Sequence, residues 1–515
     1  MKKAIPQQGH DAQDILNTMR NLRKNDAKWE DGKVWCLVYN AGEEVSNFIK
    51  EAHNIFFSEN ALNPSAFPSL KQMEMETVAM TASLLGGDEL VTGNMTSGGT
   101  ESILMAIKTA REWGCARGIK TPNIVLPVSA HPAFPKGGHY FGVELKYVPV
   151  KKDFRADVKA MKRAINRNTV MLVGSAPSYP QGVVDPIEKI AALAKKRNIL
   201  MHVDACVGGF MLPFVRATGR NVPTFDFSID GVTSMSVDLH KYAYAAKGAS
   251  VILFRNEELR KHMYYAFTEW TGGIYASPVM GGTRSGGVIA AAWAIINHLG
   301  FEGYTAIAEK VMDTTDKIRA GVKTIDDIHI LGDPAMSILC VGSDTKDIYQ
   351  IADELTAKGW HIDRQQNPPS IHLTIQHTHI ESADELLTDL REAVINTPRL
   401  TPEQIRIQRA KEIALKTAVT LLPDRVVTKA TKVISNAMDL ADDSGEMPER
   451  SAPMYGLIAT LPNKGDLAEF VIDTLSKMMT FDPEKAIKIE RAPKNNASQA
   501  PASSAKKKGT AKNKK

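Results

Sequence analysis

Between residues 76 and 325, short apolar runs alternate with amphipathic stretches. The runs 123–128, 169–174, 199–203, 231–237 and 250–254 have the length of strands and are apolar at nearly every position. That pattern predicts a largely parallel sheet buried on both faces. Helical spacing separates several of them; after Asp185-Pro186, for example, come Ile187, Ile190, Ala191 and Ala194. The Asp-Pro pair predicts an N-cap followed by proline in the first turn. Strand, helix, strand is the signature of an α/β domain. In such sheets ligands gather at the carboxyl ends of the strands. Ser175, Tyr179, Asp204 and the stretch 238–241 fall there.

The flanks read differently. Residues 1–75 form an N-terminal arm with helical spacing at Ile15, Leu16, Met19 and Leu22, and again at Val45, Phe48, Ile49 and Ala52. A loop dense in proline and asparagine follows at 57–70. Such an arm cannot bury itself and is expected to cross onto a second subunit. Residues 326–485 form a smaller C-terminal α/β domain, with strands near 328–331, 337–341 and 370–375 and helices near 345–358 and 381–396. It carries a charged helical insertion at about 400–447 and a compact helical ending at 450–483. The tail, 486–515, is rich in Ala, Ser, Asn and Lys and is expected to be disordered.

Charge changes this picture little. The net charge is +5, from 63 basic and 58 acidic residues. Residues 505–515 alone hold six lysines; without them 57 basic residues face 58 acidic ones. The body is near neutral, so nucleic acid is not an expected partner, and only weak contact of the tail with an anionic membrane surface follows from charge. The four cysteines are scattered with no CxxC pair, which predicts neither disulfides nor a metal site and fits a cytoplasmic protein. No apolar signal region follows the N-terminus, and the longest apolar run, 288–296, is too short to cross a bilayer.

Candidate chemistry lies in five places. Lys241 sits in Ser236-Val237-Asp238-Leu239-His240-Lys241-Tyr242 at the close of an apolar run, where desolvation would free its amine as a nucleophile. Most lysines are solvated surface groups, so this one gains meaning only from its company. Thr96-Ser97-Gly98-Gly99-Thr100-Glu101-Ser102 opens a helix with glycines that let backbone N–H groups approach a phosphate, although an ordinary capped turn reads the same way. Asp204 ends a strand within His202-Val203-Asp204-Ala205-Cys206; it needs a cation or donor there, or is a structural cap. His131 follows another strand, placed to stack on a planar group or merely hydrogen-bonded. Gly282 and Thr283 lie in a second glycine-rich loop, 280–287, which is either a flexible turn or a phosphate contact from a neighbouring subunit.

Phosphate loop, histidine, strand-end aspartate and histidine-lysine, in that order, resemble the parts of a fold-type I pyridoxal phosphate enzyme. Asn60-Ala61-Leu62-Asn63-Pro64 and Gly272-Gly273-Ile274-Tyr275-Ala276-Ser277-Pro278 narrow the resemblance to the sphingosine-1-phosphate lyases, within the group II decarboxylase-like branch. The resemblance spans about 35–396 and 455–475. It implies retro-aldol cleavage of the C2–C3 bond of a phosphorylated long-chain base to a long-chain aldehyde and phosphoethanolamine. It implies Lys241 as the Schiff-base lysine, Asp204 as the ring-nitrogen partner and His131 as the stacking residue. Gly99, Thr100 and His240 would hold the cofactor phosphate, joined by Gly282 and Thr283 of the other subunit in a homodimer. Tyr39, Tyr179 and Lys247 match active-site positions of the family. Asn63 stands where some relatives carry a catalytic histidine, which leaves the general base open. The alternatives are a glutamate or aromatic amino-acid decarboxylase using the same cofactor, and an inactive scaffold member.

Overall fold

The computed structural model describes residues 3–406 and 464–489. By its internal contacts the chain divides into a large unit, residues 27–474, and a small one made of 1–26 and 475–515. The small unit contains α1 (Ala12–Arg23), capped by the Asp11 carboxylate, and a contact from Lys3 Nζ to the Ile487 carbonyl, 2.7 Å.

The large unit opens with α2 (Glu43–Ile55) and α3 (Pro68–Leu84). A seven-stranded sheet follows: β1 (Thr92–Thr96), β2 (Asn123–Pro127), β3 (Glu144–Val148), β4 (Thr169–Ser175), β5 (Leu200–Asp204), β6 (Ser234–Asp238) and β7 (Ser250–Phe254). Their order across the sheet is β1-β7-β6-β5-β4-β2-β3. Only β7 runs against its neighbours, pairing antiparallel with both β1 and β6. Strands β2, β4, β5, β6 and β7 are buried at every position, which explains the largely apolar sequences of all but β6, whose Ser234, Ser236 and Asp238 are buried polar residues. The connecting helices are α4 (Gly99–Cys115), α5 (Ala133–Phe141), α6 (Val158–Ala164), α7 (Ile187–Arg197), α8 (Leu212–Ala217) and α9 (Glu257–Lys261). The Asp185 carboxylate does not cap α7 as its sequence suggests. It accepts from Ala156 N (2.7 Å) and Ser175 N (2.9 Å) instead, satisfying two buried donors at the mouth of β4.

A hairpin, β8 (Tyr265–Phe267) and β9 (Tyr275–Ser277), leads into α10 (Gly286–Lys323), which breaks at Gly300 with φ 57°. The C-terminal part has a second sheet of β10 (His329–Ile330), β11 (Ile338–Gly342), β12 (Asp363–Gln365) and β13 (Ser370–Thr374), in the order β10-β11-β13-β12 and antiparallel throughout. It is backed by α11 (Ile348–Ala357) and α12 (Ala383–Asn396). A last helix covers Lys464–Met478, inside the expected helical ending. The expected insertion at 400–447 beyond residue 406, and most of the tail, lie outside the described residues.

Within the arm expected to cross onto a second subunit, residues 33–36 are covered by their own chain, whereas α2 has no fully buried residue. Trp35 is fully buried, stacked on His379 at 4.0 Å and edge-on to Trp360. Its N–H donates to the His361 carbonyl (3.0 Å) while its carbonyl accepts from Thr374 N (3.0 Å). Residues 33–36 therefore join the second sheet by backbone hydrogen bonds, which is a register fixed by geometry and not by side-chain chemistry.

Candidate active site

The carboxyl ends of β4, β5 and β6 lie side by side, and the register aligns Ser175 with Asp204 and Asp204 with Ser236. Each strand therefore delivers its last polar residue to one edge. Asp238 ends β6, and the turn after it brings Lys241 back so that its Nζ lies 2.9 Å from Asp238 Oδ2. Asp238 is buried and Lys241 half-buried, and their pairing departs from the expectation of an uncharged amine. Burial alone would lower the proton affinity of Lys241, but the Asp238 carboxylate reverses this and holds it well above the usual lysine range. Burial likewise opposes the Asp238 charge, and Lys241 with His240 restores it below the usual carboxylate range. Without a bound group, the lysine is an ammonium ion paired to an aspartate.

Around this pair stand the other groups. Asp204 Oδ1 accepts from Cys206 N (3.1 Å) and Ser236 Oγ (3.3 Å), and Cys206 is within electrostatic reach of Asp204, Asp238 and Lys241. His202, held near pKa 4 by burial, bridges Ser234 and Ser236 behind Asp204. Tyr39 is packed edge-on to Tyr242 at 5.1 Å, and burial pushes its hydroxyl up to about 12. Lys247 Nζ lies 5.1 Å from the Tyr39 ring centre and donates to the His240 carbonyl at 2.9 Å. Burial of that amine, with the Lys241 charge nearby, lowers it to about 8. Tyr179 comes from the turn after β4, stacks on His372 at 4.1 Å and donates to Asp363 Oδ2 at 2.8 Å. Desolvation and the Asp363 charge both hold its hydroxyl protonated, so Tyr179 is a donor and not a base.

The glycine loop packs against the same edge. A Cβ on Gly99 would stand 2.7 Å from both Asp238 Oδ1 and Cys206 Sγ, too close for any other residue. Glu101 ties the loop down: it accepts from Ser97 N (2.6 Å), Ser97 Oγ (2.6 Å) and Met280 N (2.9 Å). That last bond brings the second glycine loop beside the first, and Thr100 and Thr283 border one cavity of about 590 Å³. Within a single chain, Thr283 Oγ1 accepts from Asn60 Nδ2 at 3.3 Å, and Gly282 lies beside the Tyr275 hydroxyl.

Two predicted residues are engaged in hydrogen bonds within their own turns. Asn63 is exposed, and its Oδ1 accepts from Ser65 N (3.0 Å) and Ala66 N (3.3 Å) in the turn before α3. His131 opens the turn before α5, half-buried, with Nδ1 accepting from Ala133 N at 3.1 Å. Two residues the sequence gave no role are central. The i, i+3 spacing of Asp238 and Lys241 is a signal that could have found the first; Asp363, in the polar run Asp363-Arg364-Gln365, has none.

These groups fit pyridoxal phosphate. His240 Nδ1 and Asp238 Oδ1 are buried polar atoms without partners among the described residues, and both face the loop where only glycine is tolerated. A phosphate would satisfy the His240 donor, and a cationic ring nitrogen the Asp204 carboxylate. Comparison with known proteins agrees. The pyridoxal-dependent decarboxylase conserved domain matches residues 1–342. The chain is similar to the sphingosine-1-phosphate lyase of Arabidopsis thaliana, 46% identical over 390 residues, covering 74% of this chain and 72% of that protein. It is 44% identical over 395 residues to sphingosine-1-phosphate lyase 1 of Rattus norvegicus, covering 76% and 70%. Among solved structures, the sphingosine-1-phosphate lyase of Burkholderia pseudomallei superimposes with a TM-score of 0.75 at 37% identity, over 82% of this chain and 98% of that one. Glutamate decarboxylase of Lactobacillus brevis, at 20% identity and a TM-score of 0.68 over 77% and 95% of the two chains, shares the fold. Sequence, fold and the charge pattern around Lys241 thus converge: the chain belongs to the sphingosine-1-phosphate lyase family, and its cofactor is pyridoxal phosphate.

Proposed function

We propose that this chain cleaves the C2–C3 bond of phosphorylated sphingoid bases, releasing a long-chain aldehyde and phosphoethanolamine. The observation that carries the reading is a second cation, Lys247, whose amine stands within electrostatic reach of Lys241 and donates to the His240 carbonyl. A substrate bearing its own phosphate needs an anion site separate from that of the cofactor. Lys247 Nζ and the Tyr39 hydroxyl supply it, with charge-assisted hydrogen bonds favoured over neutral ones. Asn63, whose amide has no proton-accepting role at neutral pH, serves as a further donor at the entrance.

The cofactor, when bound, supplies an electron sink for the carbon left at C2. Lys241 Nζ would hold it, Asp204 would keep the ring nitrogen protonated, and His131 would stack on the ring. Asp238 Oδ2 holds the Lys241 amine as an ammonium ion whenever the substrate amine takes its place. The reaction consumes no water: one proton leaves the C3 hydroxyl and one arrives at C2, so the site need only move a proton. Tyr179, kept protonated by Asp363, would give the proton that arrives at C2, and the proton leaving the C3 hydroxyl would restore its phenol.

Incubating the purified protein with sphingosine 1-phosphate, glutamate and tyrosine separately tests the reading. Aldehyde and phosphoethanolamine are expected from the first alone; carbon dioxide from either amino acid, with no aldehyde from the lipid, would overturn it. A pH dependence follows from Lys247. Below about 8 its amine is charged and binds the substrate phosphate; above that value it is neutral. The groups facing it are Lys241, Asp238, Tyr39 and the His240 carbonyl. Measured kcat/KM is expected to fall as pH rises through about 8, and Lys247→Arg to flatten that limb while leaving the rest of the profile.

We further infer a homodimer in which Gly282 and Thr283 approach the partner's cofactor phosphate. The hairpin before α10 supports it by exposing Phe267, Trp270 and Ile274, a patch that water does not favour. No helix among the described residues is long and apolar enough to cross a membrane. A cytoplasmic location, with the basic tail touching anionic membrane surface, belongs to the same proposal.

A further inference from the structure

The cysteine spacing predicts no metal site, yet the fold assembles one set of ligands from distant parts of the chain. His361 and Asp363 are two residues apart on an extended strand and so project from the same face. Residues 33–36 run parallel to them, with Val34 bridged to His361, which places Cys36 level with Asp363 on that face. A sulfur, an imidazole nitrogen and a carboxylate oxygen of Cys36, His361 and Asp363 all lie within 4.8 Å of one another. The Cys36 thiol already points at Asp363 Oδ1, 3.5 Å away. Zinc holds such ligands at about 2.0–2.3 Å in a tetrahedron, whose edges are then about 3.3–3.6 Å. Side-chain rotation of about 1 Å closes the present spacing to that value.

We propose that Cys36, His361 and Asp363 bind a zinc-class divalent cation, and that the ion inhibits the enzyme through Tyr179. The mixed sulfur, nitrogen and oxygen donors suit zinc over calcium or magnesium, which prefer oxygen alone. His361 is exposed and gives the ion a route in, while Cys36 and Asp363 lie deeper. On binding, the Cys36 thiol gives up its proton to solvent and the sulfur takes its place on the metal, together with His361 nitrogen and Asp363 Oδ1. Two negative ligands then balance the two positive charges of the ion. The consequence for the reaction lies on the other carboxylate oxygen. Asp363 Oδ2 accepts the Tyr179 hydroxyl at 2.8 Å. A cation on Oδ1 draws charge from that acceptor and pulls it away, so Tyr179 loses the partner that orients it. The inhibitory half of the proposal rests on the lyase reading above; the binding half does not.

Equilibrium dialysis of the reduced holoenzyme against zinc, followed by metal analysis, tests binding without reference to activity. The wild type is expected to retain one more zinc ion per chain than Cys36→Ser and His361→Ala; equal retention by all three would overturn the site. In the lyase assay, zinc is expected to lower kcat for sphingosine 1-phosphate and EDTA to restore it. His361→Ala, which leaves the Tyr179–Asp363 hydrogen bond in place, is expected to keep its basal rate and to need at least about tenfold more zinc for half-inhibition. Zinc retained through Cys36 and His361 with turnover unchanged would overturn the inhibitory role.

Discussion

Lys241→Ala is expected to bleach the visible absorbance of the purified protein and to lower turnover by about 10⁴-fold or more. The amine stands 2.9 Å from Asp238 Oδ2, at the strand edge against which the glycine loop packs. Its removal takes away the covalent hold on the cofactor and the group that Asp238 stabilises. It also leaves Asp238 as a buried carboxylate whose cation has gone, at a cost of about 3–5 kcal/mol if it stayed ionised. Asp238 therefore takes up a proton or water, and the variant remains folded with a rise in cofactor off-rate. An absorbance spectrum and a steady-state assay decide the matter: full activity in the alanine variant would refute the central role of Lys241. Thermal unfolding of the same sample separates loss of chemistry from loss of fold.

Asp204→Asn is expected to reduce kcat by roughly 10²–10³-fold, the range found when one preorganised electrostatic group is lost. The isostere keeps the acceptor that holds Cys206 N and Ser236 Oγ, so the strand end stays in place. What it loses is the negative charge proposed to keep the cofactor ring protonated. Cofactor content, read from absorbance, should fall far less than turnover. An asparagine variant within about threefold of the wild-type kcat would remove Asp204 from the mechanism. These two variants address different atoms of one group, and their effects are expected to be strongly non-additive.

The fold was legible where burial on both faces wrote itself as apolar runs. Strand β7 falls on residues 250–254 as expected, and β2, β4, β5 and β6 within a few residues. Strand β1 was not legible. Thr92-Gly93-Asn94-Met95-Thr96 has few β-formers, and its glycine is there because a Cβ would meet the Ile252 carbonyl at 2.2 Å. Edge strand β3, half-exposed as Glu144-Leu145-Lys146-Tyr147-Val148, lacks the continuous apolar run that marked its neighbours. The second sheet is antiparallel, a distinction that three short apolar runs cannot make. Of the candidate site, Lys241, Asp204, His240, Lys247, Tyr39 and Gly99 were visible through resemblance and stand together in space. Asp363 and Cys36 were invisible, because their meaning arises only from strand register between segments some 327 positions apart.

That same register has a mechanical consequence. Residues 33–36 are stitched to the second sheet, and Tyr39 follows three positions later with its hydroxyl bonded to Thr374 of β13. Asp363, the anchor of Tyr179, belongs to the adjoining strand of the same sheet. A displacement of this sheet as a rigid slab would thus withdraw a phosphate ligand and release a proton donor in one stroke. Entry of a long acyl chain and disarming of the catalyst would be a single motion, with no opened state in which half the machinery stays cocked.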